Sequence, residues 1–87
     1  MNAHHRRTLA RIFKDPVTAD LRWSDIEALF RSVDAKIGEG VGSRVRVALK
    51  GVRAVFHRPH PTPTTKHAAV RSVRAFLTAA GIRPQRD

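Results

Sequence analysis

The sequence predicts an α+β fold, with one antiparallel sheet carrying helices on its apolar face. Three patterns predict it. Residues 44–57 alternate apolar and basic side chains about a Lys50-Gly51 step, the period of two half-buried strands joined by a tight hairpin. Residues 24–36 and 64–81 instead repeat apolar side chains at helical spacing. A sheet with one apolar face must bury that face, and amphipathic helices on both sides of it in the chain are the available cover.

Taken in order, residues 4–13 read as a short helix with Leu9, Ile12 and Phe13 on one side. It stops before Asp15-Pro16, because the residue preceding a proline disfavours helical geometry. "VTADLRW" is a connector. "SDIEALFRSVDAK" carries a capping box, Ser24 as N-cap and Glu27 three positions on, followed by Ile26, Leu29, Phe30 and Val33 on one face. "KIGEGVGS" reads as a short edge strand around Ile37 and a glycine-rich turn.

If Lys50-Gly51 is the hairpin loop, Leu49 faces Val52, Val47 faces Ala54 and Val45 faces Phe56, which makes one apolar face. The other face pairs Ala48 with Arg53, Arg46 with Val55 and Arg44 with His57. A slip of one residue would mix the faces, so the pattern selects this register. After a proline-rich loop, "TTKHAAVRSVRAFLTAAGIRP" is a helix capped by Thr64 or Thr65, with Ala69, Val70, Val73, Phe76, Leu77 and Ala80 as its buried stripe. Gly81 supplies the left-handed stop and Pro84 follows. The last residues, "QRD", are expected to fray.

At 87 residues the chain is one domain, read as residues 1–22 (helix and connector), 23–83 (core) and 84–87 (tail). Four phenylalanines and one tryptophan supply the bulk of a thin core. The absence of cysteine excludes disulfides, thiolate metal sites and a cysteine nucleophile. No apolar run approaches the roughly 20 residues that span a bilayer, and the N-terminus has neither the apolar segment nor the cleavage site of a secretory signal. Seventeen Lys and Arg against seven Asp and Glu give a formal charge of +10. The bases are mostly arginine, whose planar fork suits phosphate, so the partner expected is a nucleic acid rather than a membrane surface.

The capped helix, the "GS" entering an arginine-rich strand (Gly42-Ser43-Arg44), the tight hairpin, the histidine-bearing loop and the closing "FLTAAGI" together resemble the HicA toxins of bacterial toxin–antitoxin systems. The resemblance runs over about residues 23–83. It implies a double-stranded-RNA-binding-like α-β-β-β-α fold preceded by an extra helix, and a cytoplasmic endoribonuclease that cleaves mRNA. It also implies a HicB-like antitoxin as the neutralising partner. One position departs from the family. The family's catalytic histidine directly follows the "GS" pair, and Arg44 stands there in this chain. A guanidinium stays protonated and is no general base near neutral pH.

The hairpin register offers a substitute, since Arg44 lies opposite His57 with Cβ atoms expected about 5 Å apart. Metal-free RNA cleavage needs a base for the 2′-hydroxyl proton, an acid for the leaving 5′-oxygen and positive charge on the phosphate. Imidazole titrates near pH 6.5 and serves either proton role. His57 and His60 are therefore the candidate catalytic residues, and Arg44, Arg46, Arg53, Arg58 and Lys66 the candidate phosphate ligands. His60 reads equally as an acid, a phosphate ligand or a structural residue. His67, in the first turn of the last helix, reads as a solvated side chain, or as a phosphate neighbour beside Lys66. His4 and His5 read as terminal and mobile, and Asp25 and Glu27 as capping residues. Arg71 and Arg74 read as bases facing away from the buried stripe. No cofactor is expected, and a metal held by His57, His60 and His67 is disfavoured for want of a carboxylate or fourth ligand. Two other classes fit the composition: a nucleic-acid-binding module of the same fold without catalysis, and a protein whose basic face docks only an acidic protein.

Overall fold

The computed structural model describes residues 1–18 and 20–84. The first helix, α1 (Ala3–Ile12), begins where the Asn2 side chain accepts a hydrogen bond from the His5 amide at 2.9 Å, and ends at Phe13, as the proline at 16 requires. Leu9 and Ile12 are buried, while Phe13 is half-buried. The second helix, α2 (Trp23–Ser32), starts two residues earlier than the capping box implies. Its cap is Arg22, which contributes no side-chain hydrogen bond. The physical reason is Trp23: its ring is drawn into the core and its amide donates to Pro63 O at 3.1 Å, which places Ser24 inside the first turn.

Three strands follow, β1 (Lys36–Glu39), β2 (Arg44–Leu49) and β3 (Val52–His57), in the sheet order β1-β2-β3 with both pairs antiparallel. The β2–β3 register is the expected one, from Leu49↔Val52 out to Arg44↔His57. Lys50 and Gly51 both take positive φ, 50° and 79°, the conformation of the tight turn whose twist matches that of the strands. In the β1–β2 turn, Gly40 donates to Arg44 O, and a Cβ there would lie 2.9 Å from the Arg44 Cβ, so only glycine allows the approach.

The last helix is α3 (His67–Ala79). Its C-terminus closes as expected: Gly81 at φ 80° lets the Ile82 amide reach Leu77 O and the Gly81 amide reach Thr78 O. Its N-terminus does not, because Lys66 is the cap and neither Thr64 nor Thr65 bonds the first turn. The expected fraying of residues 85–87 lies outside the described residues.

The fold is therefore α+β, in the order α-α-β-β-β-α, with the helices on one face of the sheet. Between the layers, Phe56 from β3 meets Trp23, Phe30 and Phe76 with ring centroids 5.7–5.9 Å apart. Phe30 is wholly buried at the centre of this cluster. Arg74 joins α3 to the end of α1, donating to Ile12 O (2.9 Å), to Lys14 O (2.9 Å) and to Asp15 Oδ1 (3.0 Å), with its guanidinium 6.0 Å from the Phe13 ring. The sequence placed Arg74 on an outward face. Its long side chain instead reaches the open carbonyls of a neighbouring helix end, which have no partner within their own helix.

Candidate nucleic-acid interface

The outer face of the sheet is set by the alternation of β2 and β3. Arg44, Arg46, Arg53 and His57 all project there and are exposed. Arg46 lies over Gly38 of the neighbouring strand and donates to Glu39 O at 3.2 Å. Lys36, Arg46 and Arg53 border a shallow groove of about 680 Å³, whose floor includes Ala48 and the 55% exposed Val55. None of these bases has a carboxylate partner among the described residues.

At the end of β3 the groove meets a second concavity, because Val55 borders both. This cleft of about 360 Å³ lies between the end of β3, the proline-rich loop and α3, and His57, His60 and Lys66 all line it. The loop that carries His60 is fixed at both ends by main-chain bonds. Arg58 N donates to Ser43 O (2.9 Å), Thr65 N donates to Leu21 O (2.8 Å), and Thr64 bridges to Arg22. The two histidines proposed from the sequence thus share one cleft at the edge of the arginine-bearing face.

Arg58 behaves differently. One residue past His57, it turns to the other side and is clamped by two carboxylates. Its Nε and one terminal nitrogen donate to Glu27 at 2.9 and 3.0 Å, and both terminal nitrogens donate to Glu39 at 2.5 and 2.8 Å. Glu27 is buried in α2 and also accepts from the Trp23 indole at 2.6 Å. The Arg58 hydrogen bonds hold the Glu27 carboxyl below its ordinary range against the opposing effect of burial, and Trp23 and Arg31 act in the same direction. Glu39 is lowered as well, again first by Arg58, and Arg58 itself is raised, first by Glu39 and then by Glu27.

This clamp was missed in the sequence, where Glu27 was given to a capping box and Arg58 to phosphate. Two signals pointed to it. Trp23, Glu27 and Phe30 fall on one helical face, so Glu27 sits in a buried stripe and needs a partner. Strand alternation, carried one residue past His57, sends Arg58 to the side opposite the solvent.

The remaining bases divide between the surface and the scaffold. His67 and Arg71 are exposed on α3. His4, expected to be mobile, sits in α1 with Nε2 3.2 Å from Asp25 Oδ1, which gives Asp25 a partner as well as a place in the first turn of α2. His5 is half-buried in the same helix. Among the described residues no group of three His, Cys, Asp or Glu side chains is placed to hold a metal ion, and no helix is long and apolar enough to cross a membrane.

The family model described as the HicA toxin of bacterial toxin–antitoxin systems matches residues 23–82, from the start of α2 to the residue after the Gly81 stop. The helix α1 lies outside the match. No curated protein and no solved structure matches the chain.

Proposed function

The chain belongs to the HicA toxin family and so is a toxin of a toxin–antitoxin pair, and from that premise we propose that it is a metal-independent endoribonuclease acting on mRNA. The observation that carries the proposal is the pairing of Arg44 with His57 across β2 and β3, at the mouth of the cleft that His60 also lines. His57 takes the proton of a ribose 2′-hydroxyl, the 2′-oxygen attacks the adjacent phosphorus, and the 5′-oxygen leaves with a proton from His60. The products are a 2′,3′-cyclic phosphate and a free 5′-hydroxyl. Arg44, beside His57, stabilises the charge that develops on the phosphorane, and Arg46 and Arg53 carry the strand along the sheet. Arg58 has no part in phosphate binding in this reading, because its donors are already engaged by Glu27 and Glu39.

A HicB-like antitoxin, encoded as the partner, would neutralise the protein in the bacterial cytoplasm, an acidic surface on it covering the exposed arginines. The test is cleavage of RNA by purified, antitoxin-free protein in EDTA, with products analysed for cyclic phosphate ends. One observation favours a second reading, a nucleic-acid-binding module without catalysis: Arg44 occupies the position of the family's histidine. Salt-sensitive RNA binding with no cleavage under any condition selects that reading.

A further inference from the structure

The first turn of α3 opens onto the same cleft. No acidic side chain lies in that turn, and no side chain caps it. The amides of His67, Ala68 and Ala69 therefore remain without an intrahelical partner, at the positive end of a helix of 13 residues. A second observation is independent of the helix. Thr65, only 3% exposed, lines the cleft, yet its Oγ1 is buried with no hydrogen-bond partner. Its amide is taken by Leu21 O, which fixes the residue in place while the hydroxyl stays unused. Buried hydroxyls in folded proteins are paired as a rule, so an unpaired one on a residue that lines the cleft, one position before the helix cap, marks a place where an acceptor is missing. Lys66, exposed and next in sequence, adds a full positive charge at the same rim.

We propose that the N-terminus of α3 is a phosphate site, made of the Thr65 hydroxyl, the Lys66 ammonium and the amides of His67, Ala68 and Ala69. It holds a phosphodiester neighbouring the scissile one. The inference rests on the reading of the protein as RNA-binding and gives the strand a direction. The backbone runs along Arg46 and Arg53 on the sheet, passes His57, and turns into the cleft toward α3. A helix N-terminus with open amides suits an anionic oxygen whatever the base attached to it, so the site reads backbone and not sequence.

The test is an amide NMR titration of the full chain, first with inorganic phosphate and then with a short 2′-O-methyl oligonucleotide, which is not cleavable. Both ligands shift the His67, Ala68 and Ala69 amides, and the oligonucleotide saturates them at far lower concentration. Lys66→Ala and the near-isosteric Thr65→Val each raise the phosphate Kd about tenfold, the loss of one charge-assisted hydrogen bond. Trp23 fluorescence checks that both variants are folded. His57→Ala leaves the phosphate titration of α3 unchanged. Shifts confined to the sheet face, or variants that bind phosphate like the parent, overturn the site. Phosphate shifts at α3 without oligonucleotide shifts there overturn the strand path. Cleavage is read separately: a protein that binds phosphate at α3 but cuts no RNA refutes the nuclease reading alone, and one that cuts RNA with a silent α3 refutes this site alone.

Discussion

On the outer face of the sheet, Arg44, Arg46 and Arg53 project without a carboxylate partner among the described residues, whereas Arg58, next to His57 in sequence, is gripped by Glu27 and Glu39. Arg74 is likewise engaged at the end of α1, by two main-chain carbonyls and Asp15, and Arg11 pairs with Asp20. The count of seventeen bases thus overstates what is free for a polyanion, and the formal charge of +10 conceals how that charge is divided. The division follows from geometry. A strand residue on the solvent side has water for a partner and is available to a ligand. A residue one position on faces the protein, where an unpaired charge is expensive and a carboxylate must meet it.

The largest effect is expected at His57. His57→Ala should lower the cleavage rate about 10²–10⁴-fold, as expected for a lost general base, while circular dichroism and RNA affinity stay near those of the parent. Phe30→Ala, at the centre of the wholly buried cluster, should destabilise by about 3–5 kcal/mol in denaturant unfolding and separate loss of fold from loss of site.

The two kinds of arginine should then part company. Arg58→Ala should lower the melting temperature, since Glu27 is left buried and unpaired, and leave the salt dependence of RNA binding unaltered. Arg53→Ala should leave the melting temperature unchanged and reduce the slope of log affinity against log salt by about 0.7, the share of one phosphate contact with a single strand. A melting loss for Arg53→Ala, or a salt-slope loss for Arg58→Ala, would reverse the assignment.

The clamp also predicts a pH response. Glu27 and Glu39 are held below their ordinary value of 4.5, so their contribution to stability is complete above that value and disappears as the pH falls through the lower folded values. Because Trp23 is the sole tryptophan and donates to Glu27, its fluorescence should change in that acid range. In a Glu27→Gln variant the change should diminish.

What the sequence disclosed and what it withheld follow from how local each interaction is. The β2–β3 register was legible because alternation over six paired positions leaves only one arrangement with a continuous apolar face. The Gly81 stop was legible because a left-handed residue is a requirement of the backbone alone. Ser24 and Glu27 matched a local capping pattern, but tertiary demands overrode it: Trp23 was needed in the core, and Glu27 was needed 31 positions away by Arg58. Arg74 was misplaced for the same reason, as its acceptors on Ile12 and Lys14 are some 60 positions distant. Of the candidate site, the association of His57 with Arg44 could be derived from pairing. The inclusion of His60 and Lys66 in one cleft could not, because it depends on how the proline loop returns to Leu21 and Arg22.

We place the general base at His57, across the ladder from Arg44, and an exchange of the two residues tests this placement. Initial cleavage rates in EDTA would be compared for the parent, for His57→Arg and for the double variant Arg44→His with His57→Arg. The single variant should lose about 10²–10⁴-fold, and the double variant should recover to within about tenfold of the parent, because the base and the guanidinium have merely changed strands. A single variant that cuts like the parent, or a double variant as inactive as the single, contradicts the claim.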